Sequence, residues 1–365
     1  MKIAFFHKRK PMALFIPGLF VLLALLFSSC SLDSTNPPSQ ATAASTFPPV
    51  NGFGSAENHV HSLMAQSDSV LILATHYGIF RSSDGGANWQ QVTSGPNQPM
   101  QGLMEYSLVA SPLNPQRLYV LTLPATIPHA GTLGLYTSAD DGKTWQLSIP
   151  TASVTSSSIY MVAAGNDTPD EVYIYLPDLG ALGLRVSLDD GKHFSSTGTL
   201  PFSNILGLIA IPNQPGHLLI YGSGGIASSS DGGTHWQVIK GISGEIYEMH
   251  MAGPHTPIYA SGDSGIYVSQ DDGKTFQLVN QTSYAGLAPS LTQPQVVYGK
   301  TGLTVFRSTD GGHTWKALPH ISGNLSNLAV DPTNAAQVYL ALSYPTAVYL
   351  LNSSGTIWTS LTPKI

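Results

Sequence analysis

Apolar and polar positions alternate with a period near two along most of the chain, in short runs that are each cut off by Gly, Asn, Asp, Ser or Pro. The stretch 59–92 shows the plan. Apolar positions alternate or run briefly over 59–65, 70–76, 78–82 and 89–92, with turn residues at 66–68 and 83–86. This pattern predicts four short antiparallel strands joined by tight turns. The 36 glycines and 26 prolines punctuate the sequence too often for long amphipathic helices.

The plan is repeated, and an octapeptide marks each repeat. S-x-D-x-G-x-x-W/F stands at 82–89, 138–145, 187–194, 229–236, 269–276 and 308–315, and a worn copy at 351–358 keeps Gly355 and Trp358 but has Leu351 and Ser353 for the serine and aspartate. Asp84, Asp140, Asp189, Asp231, Asp271 and Asp310 are placed to accept backbone N–H bonds within a turn. Gly86 and its equivalents supply a positive-φ position, and the aromatic residue three positions later opens the next strand with a ring to bury. The motif resembles the Asp-box, or BNR repeat, of sialidases, sortilin-type receptors, xyloglucanase-like glycosidases and the Ycf48 assembly family. That resemblance covers about 58–362 and implies an all-β fold, a seven-bladed β-propeller of four-stranded antiparallel blades over 51–365. It also implies that the motif joins the two outer strands of each blade, as a structural staple on the face away from the ligand. A calcium loop at the Asp-Asp-Gly-Lys copies lacks the EF-hand ligand spacing.

The aromatic anchors at 89, 145, 194, 236, 276, 315 and 358 lie farther apart early in the chain than late. The extra length falls at 93–104, 122–132 and 150–156, which a propeller puts on the face opposite the octapeptides. A ligand site is therefore expected off-centre, towards the first three blades. No strand borrowed between the ends is evident, although 48–53 is available to pair with the last blade.

The ends change the picture of where the protein works. Lys2, Lys8, Arg9 and Lys10 precede an apolar run over 12–27 that closes on Leu26-Phe27-Ser28-Ser29-Cys30. This resembles a bacterial lipobox and implies a signal peptide at 1–29 and a lipid on Cys30, with Phe27 departing from the usual leucine. An uncleaved anchor is the alternative, but the run is short for a membrane span. Cys30 is the one cysteine, so no internal disulfide can form. Residues 31–50, rich in Ser, Thr, Pro and Ala, read as a flexible tether with an r.m.s. reach of roughly 25 Å. Cleavage would move the formal charge from −6 to −10 by removing four of the 15 basic residues, which leaves no basic footprint for nucleic acid. The expected location is the bacterial cell envelope, on the outer side of the cytoplasmic membrane or in the outer membrane.

Candidate chemistry sorts by face. His59 and His61 share one side of the first strand, and if Ala65 pairs with Val70, His59 falls opposite His76. Three imidazoles suit a borderline divalent metal; hydrogen-bonded histidines lining the channel are the plainer alternative. No other cofactor is implied. Glu105, Tyr106, Asp178, Glu245, Tyr247, Asp263 and Tyr284 sort to the loop-rich face, with His59, His76, Tyr77, Tyr106 and Tyr247 as ligand-binding candidates. Two acids drawn from Glu105, Asp178, Glu245 and Asp263 are the minimum for glycoside hydrolysis, while solvated surface acids would offer the same choice. Sialidase chemistry needs three arginines around a carboxylate. Beyond the leader only Arg81, Arg117, Arg185 and Arg307 occur, all expected near the octapeptide face, which argues against it. No nucleophile elbow, P-loop, dinucleotide fingerprint or HExxH helix is present. The expectation is a binding or assembly module for an envelope protein, peptide or glycan, with a propeller glycosidase as the alternative.

Overall fold

A computed structural model describes residues 52–66, 69–126 and 128–362. The expected leader at 1–29, Cys30, the tether at 31–50 and turn residues 67 and 68 lie outside the described residues. Twenty-eight strands form seven four-stranded antiparallel sheets, each cut from one continuous stretch of chain. Blade 1 runs β1 (Val60–Ala65), β2 (Leu71–Thr75), β3 (Gly78–Ser82) and β4 (Gln90–Gln91), each within two residues of the bounds expected from alternation. Blades 2 to 7 open at Leu103, Met161, Ile205, Ile246, Ala285 and Asn324, and the last closes at Ser360. The protein is a seven-bladed β-propeller.

The second strand of every blade is covered on both faces, which is why these strands read as nearly unbroken apolar runs. Leu71, Ile72, Leu73 and Ala74 are all at most 1% exposed. Seven buried clusters follow the ring, one at each junction between successive blades, and the cluster joining blade 7 to blade 1 contains Phe53, Leu71, Leu73, Phe80, Ala341 and Val348. Each fully buried side chain of this size contributes about 1.5–3 kcal/mol.

Among the described residues no strand is exchanged at the seam; blade 7 takes all four of its strands from the C-terminal stretch. The pairing considered for 48–53 reduces, within the described residues, to burial of Phe53 and a bond from the Gly54 N–H to the Thr346 carbonyl at 3.1 Å. Further ties are the Tyr344 N–H to the Asn58 carbonyl at 3.0 Å and the Trp89 indole N–H to the Leu361 carbonyl at 2.9 Å.

The octapeptide joins the third and fourth strands of each blade. In the second copy Ser138 Oγ donates to Asp140 Oδ1 at 2.8 Å and accepts the Gly142 N–H at 2.9 Å, while Asp140 takes the Thr144 N–H at 2.9 Å and hydroxyl at 2.6 Å. The other five copies repeat this with Asn, His or Thr four residues after the aspartate. In the worn seventh copy Asn352, one position early, accepts the Thr356 N–H at 2.8 Å and replaces the aspartate. Backbone bonds tie five of the turns to the first hairpin turn of their own blade, as from Asp141 N–H to the Gln116 carbonyl at 3.0 Å, so both turns occupy one face.

Candidate functional site

The opposite face is built by the starts of first strands, the ends of second strands and the long connections. The three expected insertions lie here. Residues 125, 126 and 128–133 fold over 92–102, with the Ala125 and Thr126 N–H groups both at 3.1 Å from the Gly102 carbonyl. A fourth insertion, unnoticed in the sequence, is a 3-10 segment at Pro177–Leu182 between the second and third strands of blade 3.

The most concentrated chemistry is at the seam of blades 7 and 1. The register of β1 on β2 starts one residue away from expectation, at Ala65↔Leu71, but a bulge at His61 restores it, so Val60 faces Thr75 and the His76 N–H reaches the His59 carbonyl at 3.0 Å. His59, His61 and His76 then converge, and one ring nitrogen from each lies within 4.8 Å of the others. Ring centroids are 4.5 Å apart for His59 and His61 and 4.8 Å for His59 and His76. Burial pushes all three imidazoles down, His61 to about 3 with its two neighbours adding repulsion, so they are neutral at pH 7. His59 Nδ1, His61 Nε2 and His76 Nδ1 are buried and have no hydrogen-bond partner among the described residues.

Around the triad, Tyr344 stacks on His59 with centroids 5.0 Å apart, and Tyr77 meets His76 edge-on at 4.9 Å. The Tyr77 hydroxyl donates to Glu57 at 3.1 Å. Tyr344 was missed in the sequence, although it occupies the same turn of blade 7 that His76 and Tyr77 occupy in blade 1.

The four candidate acids do not form one group. Glu105 is a correction: it is fully buried, accepts the Thr93 and Ser94 hydroxyls at 2.8 and 2.6 Å, and burial raises its carboxyl to about 8. Its short strand position, third in the first strand of blade 2, turns it into the junction with blade 1 and away from solvent. Asp178 is exposed on the 3-10 segment of blade 3. Glu245 and Asp263 adjoin on blade 5, where Asp263 accepts the Tyr247 hydroxyl and, at 2.9 Å, the Glu245 N–H. The Tyr247 bond, then the backbone bond, holds the Asp263 carboxyl below its usual range.

Tyr247 is 49% exposed, whereas Tyr106 is half-buried with its hydroxyl given to the Ile159 carbonyl. Tyr284 is a second correction, being 8% exposed and stacked on Trp315 at 4.1 Å. Sequence reasoning also missed Tyr160, 44% exposed, and Glu248, whose carboxylate takes the Gly286 and Leu287 N–H groups of blade 6 at 3.0 and 3.1 Å. Two backbone bonds give Glu248 a linking task, for which no motif signals.

Among the described residues the arginines form no cluster. Arg81 pairs with Asp141 at 2.8 Å, and Arg117 bridges Asp170 and Asp190 at 2.8 and 2.9 Å, both across blade junctions. Arg307 lies over Tyr298, 5.7 Å from the ring centroid. Arg185 departs from the expected face by turning to the Leu182 and Leu184 carbonyls, at the edge of the Pro177–Leu182 loop. An open depression of about 590 Å³ near Gln214, His217, Ser229 and Trp236 lies on the octapeptide face and holds none of the candidate acids.

Fold and face thus define a seven-bladed propeller with its long connecting loops on one side. No protein-family model matches the chain. It is similar to a probable oligoxyloglucan-reducing end-specific xyloglucanase of Neosartorya fischeri, 28% identical over an alignment of 207 positions that covers 47% of this chain and 25% of that protein. Among solved structures it resembles the GH74 enzyme of Niastella koreensis, with a TM-score of 0.64, 18% identity and coverage of 83% of this chain and 54% of that one. The GH74 xyloglucanase of Xanthomonas campestris gives 0.61, 15%, 80% and 52%. YCF48 bound to D1 peptide gives 0.53, 16%, 77% and 89%. The chain spans about half the length of the GH74 enzymes, and at these identities the likeness to solved structures is one of fold.

Proposed function

We propose that this protein is an extracytoplasmic binding or assembly module of the Asp-box type, anchored by a lipid on Cys30, that takes a protein, peptide or glycan on the face opposite its octapeptide turns. The observation that carries this reading is the exposure of Tyr160, Tyr247 and Tyr344, at 44%, 49% and 53%, on that face. Flat amphipathic rings held on rigid strands suit sugar faces and peptide backbones, because they bury area with little loss of side-chain freedom. Leu179 and Leu182, 47% and 61% exposed on the blade 3 insertion, extend the apolar area. A propeller solved with a bound peptide, YCF48, has a similar fold over most of its length, which supports a peptide ligand. The signal peptide at 1–29 and tether at 30–50 belong to the same proposal; substitution Cys30→Ala should abolish labelling by a fatty-acid analogue.

The test of binding is a screen of the chain against xyloglucan oligosaccharides, other plant and bacterial glycans and peptides from envelope proteins. Tyr247→Ala and Tyr160→Ala should each weaken the ligand found by about tenfold or more, at 1–3 kcal/mol for a lost aromatic contact. Unchanged affinity in both variants would remove the face from consideration.

A glycoside hydrolase is the second reading, supported by the partial similarity to the xyloglucanase and by the adjacent acids Glu245 and Asp263. It assigns the two carboxyl roles among Glu245, Asp263 and Asp178, with Glu105 excluded by burial. Asp263, held ionised, would serve as nucleophile or base and not as acid. Release of reducing ends from xyloglucan that disappears in Glu245→Gln or Asp263→Asn would establish it, and no turnover across the glycan panel would end it.

A further inference from the structure

At the seam between blades 7 and 1 three crowded imidazoles each carry a buried ring nitrogen with no hydrogen-bond partner among the described residues. An unpartnered buried acceptor or donor costs about 1–3 kcal/mol, and His59 Nδ1, His61 Nε2 and His76 Nδ1 are three such atoms on neighbouring rings. We propose that His59, His61 and His76 form a binding site for one borderline divalent cation, of the zinc, cobalt or nickel kind.

Four features carry the inference. The ligand atoms already lie within 4.8 Å of one another. A tetrahedral ion with metal–nitrogen bonds of about 2.0–2.1 Å needs nitrogens roughly 3.3 Å apart; side-chain rotations of a few tens of degrees close that difference. The histidines come from two adjoining strands of one blade, so the site rests on hydrogen-bonded backbone. The bulge at His61 is what brings the third ring into line: an unbroken register from Ala65↔Leu71 would set His59 out of step with His76. The rings of Tyr344 and Tyr77 pack against His59 and His76, with centroids 5.0 and 4.9 Å away, and limit how far those imidazoles can turn.

The donor set selects the cation. Three imidazole donors with no carboxylate among them disfavour calcium and magnesium, which take oxygen ligands, and favour borderline ions. Three protein ligands leave a fourth position for water or a ligand group, beside the exposed Tyr344 ring. The site does not depend on the binding reading above, and it would stand if no peptide or glycan were found.

The test uses the full chain, purified without a polyhistidine tag, stripped with chelator and titrated calorimetrically with zinc chloride and cobalt chloride. One equivalent should bind with a Kd in the micromolar range or tighter, cobalt should give the intense visible bands of a four-coordinate ion, and zinc should raise the Tm. His61→Gln and His76→Gln should each weaken binding by more than about 100-fold, whereas His235→Gln, exposed on the other face in contact with Asp231, should not. Should either variant fail to fold, zinc protection of His59, His61 and His76 from diethyl pyrocarbonate in the unaltered chain gives the same answer. Substoichiometric uptake, six-coordinate cobalt spectra, or equal modification of the three rings with and without zinc would overturn the proposal.

Discussion

At the scale of the residue, the side chains that matter most here are those whose partners come from a different part of the sequence. Glu105 shows the consequence. Its carboxyl, raised to about 8 by burial against about 4.5 in the unfolded chain, stays protonated in the fold while the unfolded form ionises. Stability is therefore full below about pH 4.5 and falls as pH rises towards 8, by an amount on the order of 4 kcal/mol. Glu105→Gln should flatten this slope: urea denaturation at pH 5 should find the variant near the unaltered chain, and at pH 8 should find it more stable. The sequence offered Glu105 as a surface acid because strand position fixes which end of a blade a residue occupies, but burial depends on Thr93 and Ser94, which arrive from the preceding connection. His59 and His76 were legible for the opposite reason, since pairing across one hairpin is a local matter; the compensating bulge at His61 was not.

Among the elements, the octapeptide turn was readable in nearly all its parts, because its bonds close within seven residues. Asp140→Ala removes three acceptor contacts, to the Thr144 N–H and hydroxyl and to the Ser138 hydroxyl. It should cost about 1–3 kcal/mol in chemical denaturation. What the repeat hides is the residue after the aspartate. That position has positive φ in all six copies, as Gly85, Gly232 and Gly311 in three and as Asp141, Asp190 and Asp272 in the others. Each of those aspartates holds the preceding blade, through Arg81, Arg117 and Gln214 respectively. The Asp-Asp-Gly-Lys copies are thus fasteners between blades. Burial outweighs Arg117 and leaves the Asp190 carboxyl above its usual range, so the pair gains little net stability. Asp190→Asn should change the unfolding free energy by about 1 kcal/mol or less, whereas Arg117→Met, which strands two carboxylates, should cost about 2–3 kcal/mol. Paired urea titrations separate the two.

For the whole molecule, blade number and strand order were legible because each blade repeats one local plan. The closure was not, since it depends on contacts between residues nearly three hundred positions apart, such as Trp89 with Leu361. Phe53 fills that junction against Phe80, Trp89 and blade 7. Phe53→Ala should lower stability by about 3–5 kcal/mol, and hydrogen exchange should show blades 7 and 1 opening before the rest. A ring whose segments share no strand has no privileged starting point. Joining Gly52 to Thr362 by a linker and cutting instead within residues 197–204, between blades 3 and 4, should yield a circular permutant with the same circular dichroism. A permutant that fails to fold would mean that Phe53 and its neighbours act as a keystone whose place in the order of synthesis matters.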